Sequence, residues 1–150
     1  MPALAKLLVA IDNARSAQRL LALALPMAKA LGAELVLLHV WDIPGFFVDG
    51  LEPWALERLL APVRERASAM LERELGHVRT KVPMARSLLR YGNAAIEIER
   101  VIAEEKPGLV VLGTHGPAGG IAAKLLRSAN VPVLAVPVPL EVKPVEAART

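Results

Sequence analysis

The residues in this sequence with the clearest chemistry are four glycines within eight positions, Gly113, Gly116, Gly119 and Gly120, in the stretch GTHGPAGG. A fully apolar run, Leu109 to Leu112, feeds that stretch, and a helical pattern opens at Ile121. A strand leading through a glycine-rich turn into a helix bares backbone N–H groups at a helix N-terminus, where they can hold an anion, phosphate first of all. The second candidate is Asp12, which ends another apolar run, KLLVAI (Lys6 to Ile11). Ligands of open parallel sheets sit at the carboxyl ends of the strands, so Asp12 and Gly113 are the first places to look. Two readings of the glycines stay open: an anion cradle, or a tight connection whose glycines supply positive φ. Asp12 is likewise either a ligand contact or a helix cap.

Other chemistries are excluded by what these residues do not assemble. No activated nucleophile, carboxylate pair or metal cluster can be built around the loop. No Gly-Lys-Ser/Thr follows the glycines, and the dinucleotide fingerprint G-x-G-x-x-G is absent. The three histidines, His39, His77 and His115, lack metal-ligand spacing. His39, inside an apolar run, reads as a hydrogen-bonded core residue. Cysteine is absent, so disulfides, thiolate metal sites and a cysteine nucleophile are all ruled out. Hence no catalytic residue and no metal ligand is expected.

These candidates need a scaffold, and 150 residues suit one domain with one core. With 54% hydrophobic but only 3% aromatic residues, that core must be aliphatic. The 18 basic residues nearly balance 15 acidic ones and are scattered along the chain, so no nucleic-acid groove is expected. The N-terminal apolar run stops at Asp12, too short for a signal peptide, and the longest uncharged stretch is broken by Gly and Pro. A cytoplasmic protein without a membrane span is expected.

Five strands are expected at Lys6 to Ile11, Glu34 to Val40, Ala85 to Tyr91, Leu109 to Leu112 and Val131 to Val136. Helical spacing separates them. Ala17, Leu20, Leu21, Ala24, Ala28 and Leu31 line the first helix, which Asp12, Asn13 or Ser16 could cap and Gly32 should stop. The pattern runs through Pro26, which predicts one bent helix. Leu56 to Leu75 predicts a second, with Pro62 a point where it could split. Asn93 should cap a third, ended by Pro107, and Ile121 to Ser128 a fourth. The two arginines of the third strand suit a sheet edge. Between Trp41 and Trp54 lie four of the five aromatic residues, read as a connection folded back over the sheet end, with a lid or partner patch as the other reading. Residues 138–150 read as an extended or disordered tail after a domain of residues 1–137. Strands alternating with helices predict an α/β fold: a five-stranded parallel sheet with helices on both faces.

The stretches KLLVAID, ALGAELVLLHVWD, YGNAAIE, PGLVVLGTHG and ANVPVLAVP, in this order, resemble the universal stress protein family over nearly the whole chain. The resemblance implies the flavodoxin-like strand order 3-2-1-4-5, a cytoplasmic stress-response protein, and commonly a homodimer paired through the last strand, here Val131 to Val136. One branch of that family binds ATP and another does not. Its ATP signature, G-x2-G-x9-G-[S/T], is met here by Gly113 and Gly116. Counting back from Val131-Pro132-Val133 puts Gly119 at the third glycine and Gly120 at the Ser/Thr. The spacer is then only Pro117 and Ala118, seven residues short, and the phosphate-contacting hydroxyl is missing. For the adenine and ribose end, the resemblance marks Ala10, Asp12, Val40, Gly113 and His115, and Ile11, between the first two, is counted with them as a binding residue. It implies ATP or another adenine nucleotide as ligand, with magnesium only through its phosphates and at most slow incidental hydrolysis. The other reading is a dimeric interaction module that has given up the nucleotide with its shortened loop.

Overall fold

The computed structural model describes residues 5–43, 45, 48–114 and 120–139. Its elements are β1 (Lys6–Ile11), α1 (Ala14–Leu31), β2 (Glu34–Trp41), α2 (Pro53–Arg79), β3 (Arg86–Tyr91), α3 (Ala94–Glu105), β4 (Leu109–Thr114), α4 (Gly120–Ser128) and β5 (Val133–Pro137). All four strand pairings are parallel, and the order is β3-β2-β1-β4-β5, as expected. The arginine-bearing β3 is indeed an edge.

The apolar runs that carry no wet face are explained by helices on both sides of the sheet. Leu7, Val9 and Ile11 of β1 point into one core with Leu20, Leu21 and Ala24 of α1 and Leu71, Leu75 and Val78 of α2. Leu8, between them, joins a second core with Val101 of α3 and Leu125 of α4. Thus α1 and α2 cover one face, and α3 and α4 the other.

Local chemistry sets the helix ends. Asn13 caps α1: its Oδ1 accepts the Ser16 N–H at 2.9 Å, while Ser16 Oγ accepts the Asn13 N–H at 3.2 Å. That reciprocal cap starts α1 three residues before the apolar pattern does. Gly32 ends it with φ 62°, a left-handed conformation that glycine adopts without strain. Pro26 is absorbed within the helix, and Pro62 within α2. Asn93 Oδ1 caps α3 by accepting the Ile96 N–H at 3.1 Å.

Helix α2 is longer than its apolar spacing predicts, because Pro53 stands at its first turn and its pattern continues to Arg79. At about 1.5 Å per residue its 27 residues span roughly 40 Å, against roughly 20 Å for a six-residue strand. Its N-terminal half therefore overshoots the sheet. Leu56, Leu60 and Val63 are only half-buried and Leu59 is exposed, while full burial begins at Ala67.

Strand β5 begins two residues later than its apolar run, at Val133, and continues to Pro137, because its register is set by β4: Val110 pairs with Val133 and Thr114 with Pro137. Pro132 thus precedes the ladder. Pairing reaches one residue further, since the Val138 N–H donates to Thr114 O at 2.9 Å and Val138 is buried. The remainder of the expected tail, from residue 140, lies outside the described residues.

Candidate functional site

Parallel strands that feed helices on opposite faces leave a gap where they diverge. Here those strands are β1, followed by α1, and β4, followed by α4. They are neighbours, with Ala10 beside Leu112. At their carboxyl ends lies a small, partly open cleft of about 40 Å³. Its walls are Ala10, Ile11 and Asp12 from β1 and its turn, Ser16 from α1, Val40 from β2, Ala94 and Ile98 from α3, Leu112 and Gly113 from β4, Ile121 from α4, and Val138.

Five residues singled out in the sequence, Ala10, Ile11, Asp12, Val40 and Gly113, come together in this cleft. Gly120 opens α4, and Ile121 after it reaches the wall, so the helix N-terminus borders the same space. His115, Gly116 and Gly119 lie outside the described residues. Lys124 and Arg127 are exposed further along α4 and contribute nothing to the described walls.

Asp12 is distinguished by what it does not do. Capping of α1 belongs to Asn13. The buried Ser16 hydroxyl secures the turn, accepting the Asp12 N–H at 3.0 Å and donating to Asn13 O at 3.1 Å. The Asp12 side chain stands on the exposed rim, the single ionisable group among the described wall residues. The last peptide of β1 is fixed from the other side: buried His39 donates from Nδ1 to Ile11 O at 2.8 Å, as expected of a core histidine.

The two described glycines of the loop are glycines for different reasons. A Cβ on Gly113 would come within 2.8 Å of Val138 Cγ2, so the strand end is bare where Val138 packs against it. Gly120 has open space around it but φ +77°, which strains any L side chain. A hydroxyl restored at position 120 would therefore carry a backbone cost.

Chemically, the described walls offer aliphatic surface from Val40, Ile98, Leu112, Ile121 and Val138, one carboxylate, and no cation. Such a lining suits a flat, mostly apolar body bearing hydrogen-bond donors. Ser16, Ala94, Ile98, Ile121 and Val138 were not expected at the site from the sequence, which marked Ser16 only as a cap candidate and Ile121 only as a helix start. Their part depends on packing across the chain, although YGNAAIE already marked the turn that delivers Ala94.

The aromatic segment divides. Trp41 ends β2 buried, its ring 4.6 Å from that of Tyr91, while Trp54 is 66% exposed on the overshooting part of α2. Phe46 and Phe47 lie outside the described residues. At the opposite end of the sheet, Arg86 Nε bonds Glu34 at 2.7 Å, and Glu105 Oε1 receives both Arg86 Nη2 at 2.6 Å and Lys6 Nζ at 3.1 Å. Hydrogen bonds from Arg86, then Lys6, hold the Glu105 carboxyl below its ordinary pKa. Among the described residues no group of His, Asp or Glu is placed to hold a metal, and no helix is long and apolar enough to cross a membrane.

The model of the universal stress protein family matches residues 4–137. The chain belongs to that family. A universal stress protein of Thermus aquaticus is 32% identical over 131 residues, covering 86% of this chain and 90% of that one. A crystal structure of a universal stress family protein from Burkholderia pseudomallei superposes with a TM-score of 0.74 at 29% identity, covering 91% of this chain and 98% of the other. The fold is shared as well, at 19% identity and a TM-score of 0.64, with the universal stress protein from Archaeoglobus fulgidus in complex with dAMP, over 87% of this chain and 96% of that one.

Proposed function

We propose that this universal stress protein binds an adenine nucleotide in the cleft between β1 and β4 and acts as a regulatory, non-catalytic protein of the cytoplasm. One observation carries the reading: Asp12 is relieved of capping by Asn13 and stands at the mouth of an aliphatic cleft at the strand ends. The dAMP complex of a protein with the same fold supports the choice of ligand. In this reading the base lies against Val40 and the β4 end, and the ribose hydroxyls donate to Asp12. The phosphates extend toward Gly120 and the N-terminus of α4, with Gly116, Gly119 and His115 available from the loop and magnesium held only by the phosphates.

The described walls supply no cation, so the nucleoside dominates the affinity, and AMP, ADP and ATP should bind within about tenfold of one another. Calorimetric titration with each, with and without magnesium, tests this. Nucleotide at a hundred times Kd stabilises by about 2.7 kcal/mol, a rise of roughly 5 to 10 °C in Tm. Neither heat nor thermal shift at millimolar nucleotide would refute it. Asp12→Ala should cost at least tenfold in affinity, since a charge-assisted hydrogen bond contributes about 1.5 to 3 kcal/mol. Unchanged affinity would place the nucleoside elsewhere.

The second reading, an interaction module without nucleotide, is favoured by one observation: Val138 accounts for Gly113 with no ligand. Either reading accommodates a homodimer through β5, an edge strand whose outer side faces no other strand of the sheet.

A further inference from the structure

Away from that cleft, Glu74 of α2 is 9% exposed, and its carboxylate has no hydrogen-bond or ion-pair partner among the described residues. A carboxylate so far removed from water without a partner is unfavourable, unless something from outside supplies a counter-charge. Glu74 lines a hollow of about 170 Å³ between α1 and α2 with Gln18, Leu21, Ala22, Leu25 and His77. A second hollow shares Leu21, Ala22 and Leu25 and continues along α1 to Lys29 and Lys81. The two adjoin along those three residues as a groove lined by Glu74 and His77 in one part and by Lys29 and Lys81 in the other.

We infer that this groove binds a free basic amino acid of the arginine type. A guanidinium meets Glu74, where its planar fork and weak hydration suit a largely buried carboxylate better than an ammonium does. The alkyl stem lies on Leu21, Ala22 and Leu25, and the α-carboxylate faces Lys29 and Lys81. Arginine's α-ammonium is offset by the adjoining carboxylate, whereas a diamine or agmatine presents an uncompensated ammonium that the two lysines repel. At about 10 to 15 Å³ of cavity per water, 170 Å³ corresponds to roughly eleven to seventeen waters, room for a molecule of about a dozen non-hydrogen atoms.

The probes are L-arginine, its neutral isostere L-citrulline and its decarboxylated form agmatine, titrated into the whole nucleotide-free protein while the Leu21 and Leu25 methyl signals are followed by NMR. Arginine should give saturable shifts in the millimolar range, with citrulline and agmatine each at least tenfold weaker. Glu74→Gln should abolish the preference for arginine over citrulline, and Lys81→Ala the preference over agmatine. The Glu74→Gln protein without ligand should melt no lower than the parent, because the substitution removes an unpaired buried charge. Equal shifts with arginine and citrulline, retained discrimination in Glu74→Gln, or a lower Tm for that variant would each overturn the assignment. The groove and the strand-end cleft share no lining residue, so the outcome is independent of nucleotide binding.

Discussion

Gly113→Ala isolates the contact that shapes the cleft. The added methyl would stand 2.8 Å from Val138 Cγ2, against the 3.5 to 4.0 Å at which carbon atoms pack best, an overlap of about 1 Å. Gly113 is not among the positive-φ glycines, so alanine is acceptable to the backbone and the unfolded chain loses entropy, a stabilisation of about 0.4 to 1 kcal/mol. Overpacking a buried contact costs about 1 to 3 kcal/mol, and Val138 is 3% exposed and tied to Thr114 O, so it cannot simply swing into water. The clash wins, by about 1 to 2 kcal/mol, and Tm should fall by roughly 3 to 8 °C. Val138→Ala alone should cost about 1 to 3 kcal/mol through the emptied space. The double substitution should then be milder than the sum by at least about 1 kcal/mol, because each change removes the reason for the other's penalty. Thermal or urea unfolding of the four proteins closes the cycle. A Gly113→Ala protein with the parental Tm, or strictly additive losses, would show that Val138 is not what keeps position 113 bare.

Gly120→Ser, which restores a hydroxyl at the start of α4, should lower stability by about 1 to 2 kcal/mol through its left-handed backbone and bring no gain in ATP affinity; a tighter complex in calorimetry would contradict this. Glu105→Gln should cost about 1 kcal/mol at pH 7, a modest figure because Arg86 is partly exposed. Its folded pKa is lowered, so the carboxylate stabilises the fold above its unfolded pKa of about 4.3 and loses that effect as pH falls. Parent and variant should therefore converge below about pH 4, and a constant difference from pH 7 to 3 in denaturation experiments would refute the ion-pair account. Val133→Lys, on the edge strand, should shift a dimer toward monomer in light scattering, and an unchanged mass would move the interface away from β5.

What the sequence revealed of the fold was what local chemistry dictates. Lys6 to Ile11 could be read to the residue because the charged Lys6 and Asp12 bracket five apolar positions. Gly32 stops α1 because only glycine takes φ 62° cheaply at that point. Boundaries drifted where a distant partner decides them. Leu112 ends an apolar run, yet β4 continues through Gly113 and Thr114 because β5 offers Val136 and Pro137 as partners. The overshoot of α2 is invisible to periodicity, which marks Leu59 as apolar but cannot say that the sheet has ended beneath it. At the site, the strand-end residues were legible because topology places every carboxyl end on one rim. Val138 was not, since its role rests on a contact with a residue 25 positions earlier.

That contact also bears on how a glycine signature should be read. Gly113 fits the first glycine of an ATP motif, yet its missing side chain is required by Val138 whether or not a nucleotide is present. Gly120 is required by its backbone conformation. Neither therefore discriminates between a nucleotide-binding protein and an interaction module. Asp12 is the better residue to test, because its side chain lines the cleft and capping of α1 is performed by Asn13 together with Ser16. Its carboxylate lines an aliphatic cleft beside a turn that Asn13 and Ser16 secure. On the reading proposed above it selects for the hydroxyls of a nucleoside. The affinity of Asp12→Ala, rather than the count of glycines in the loop, is accordingly the measurement on which the nucleotide assignment stands.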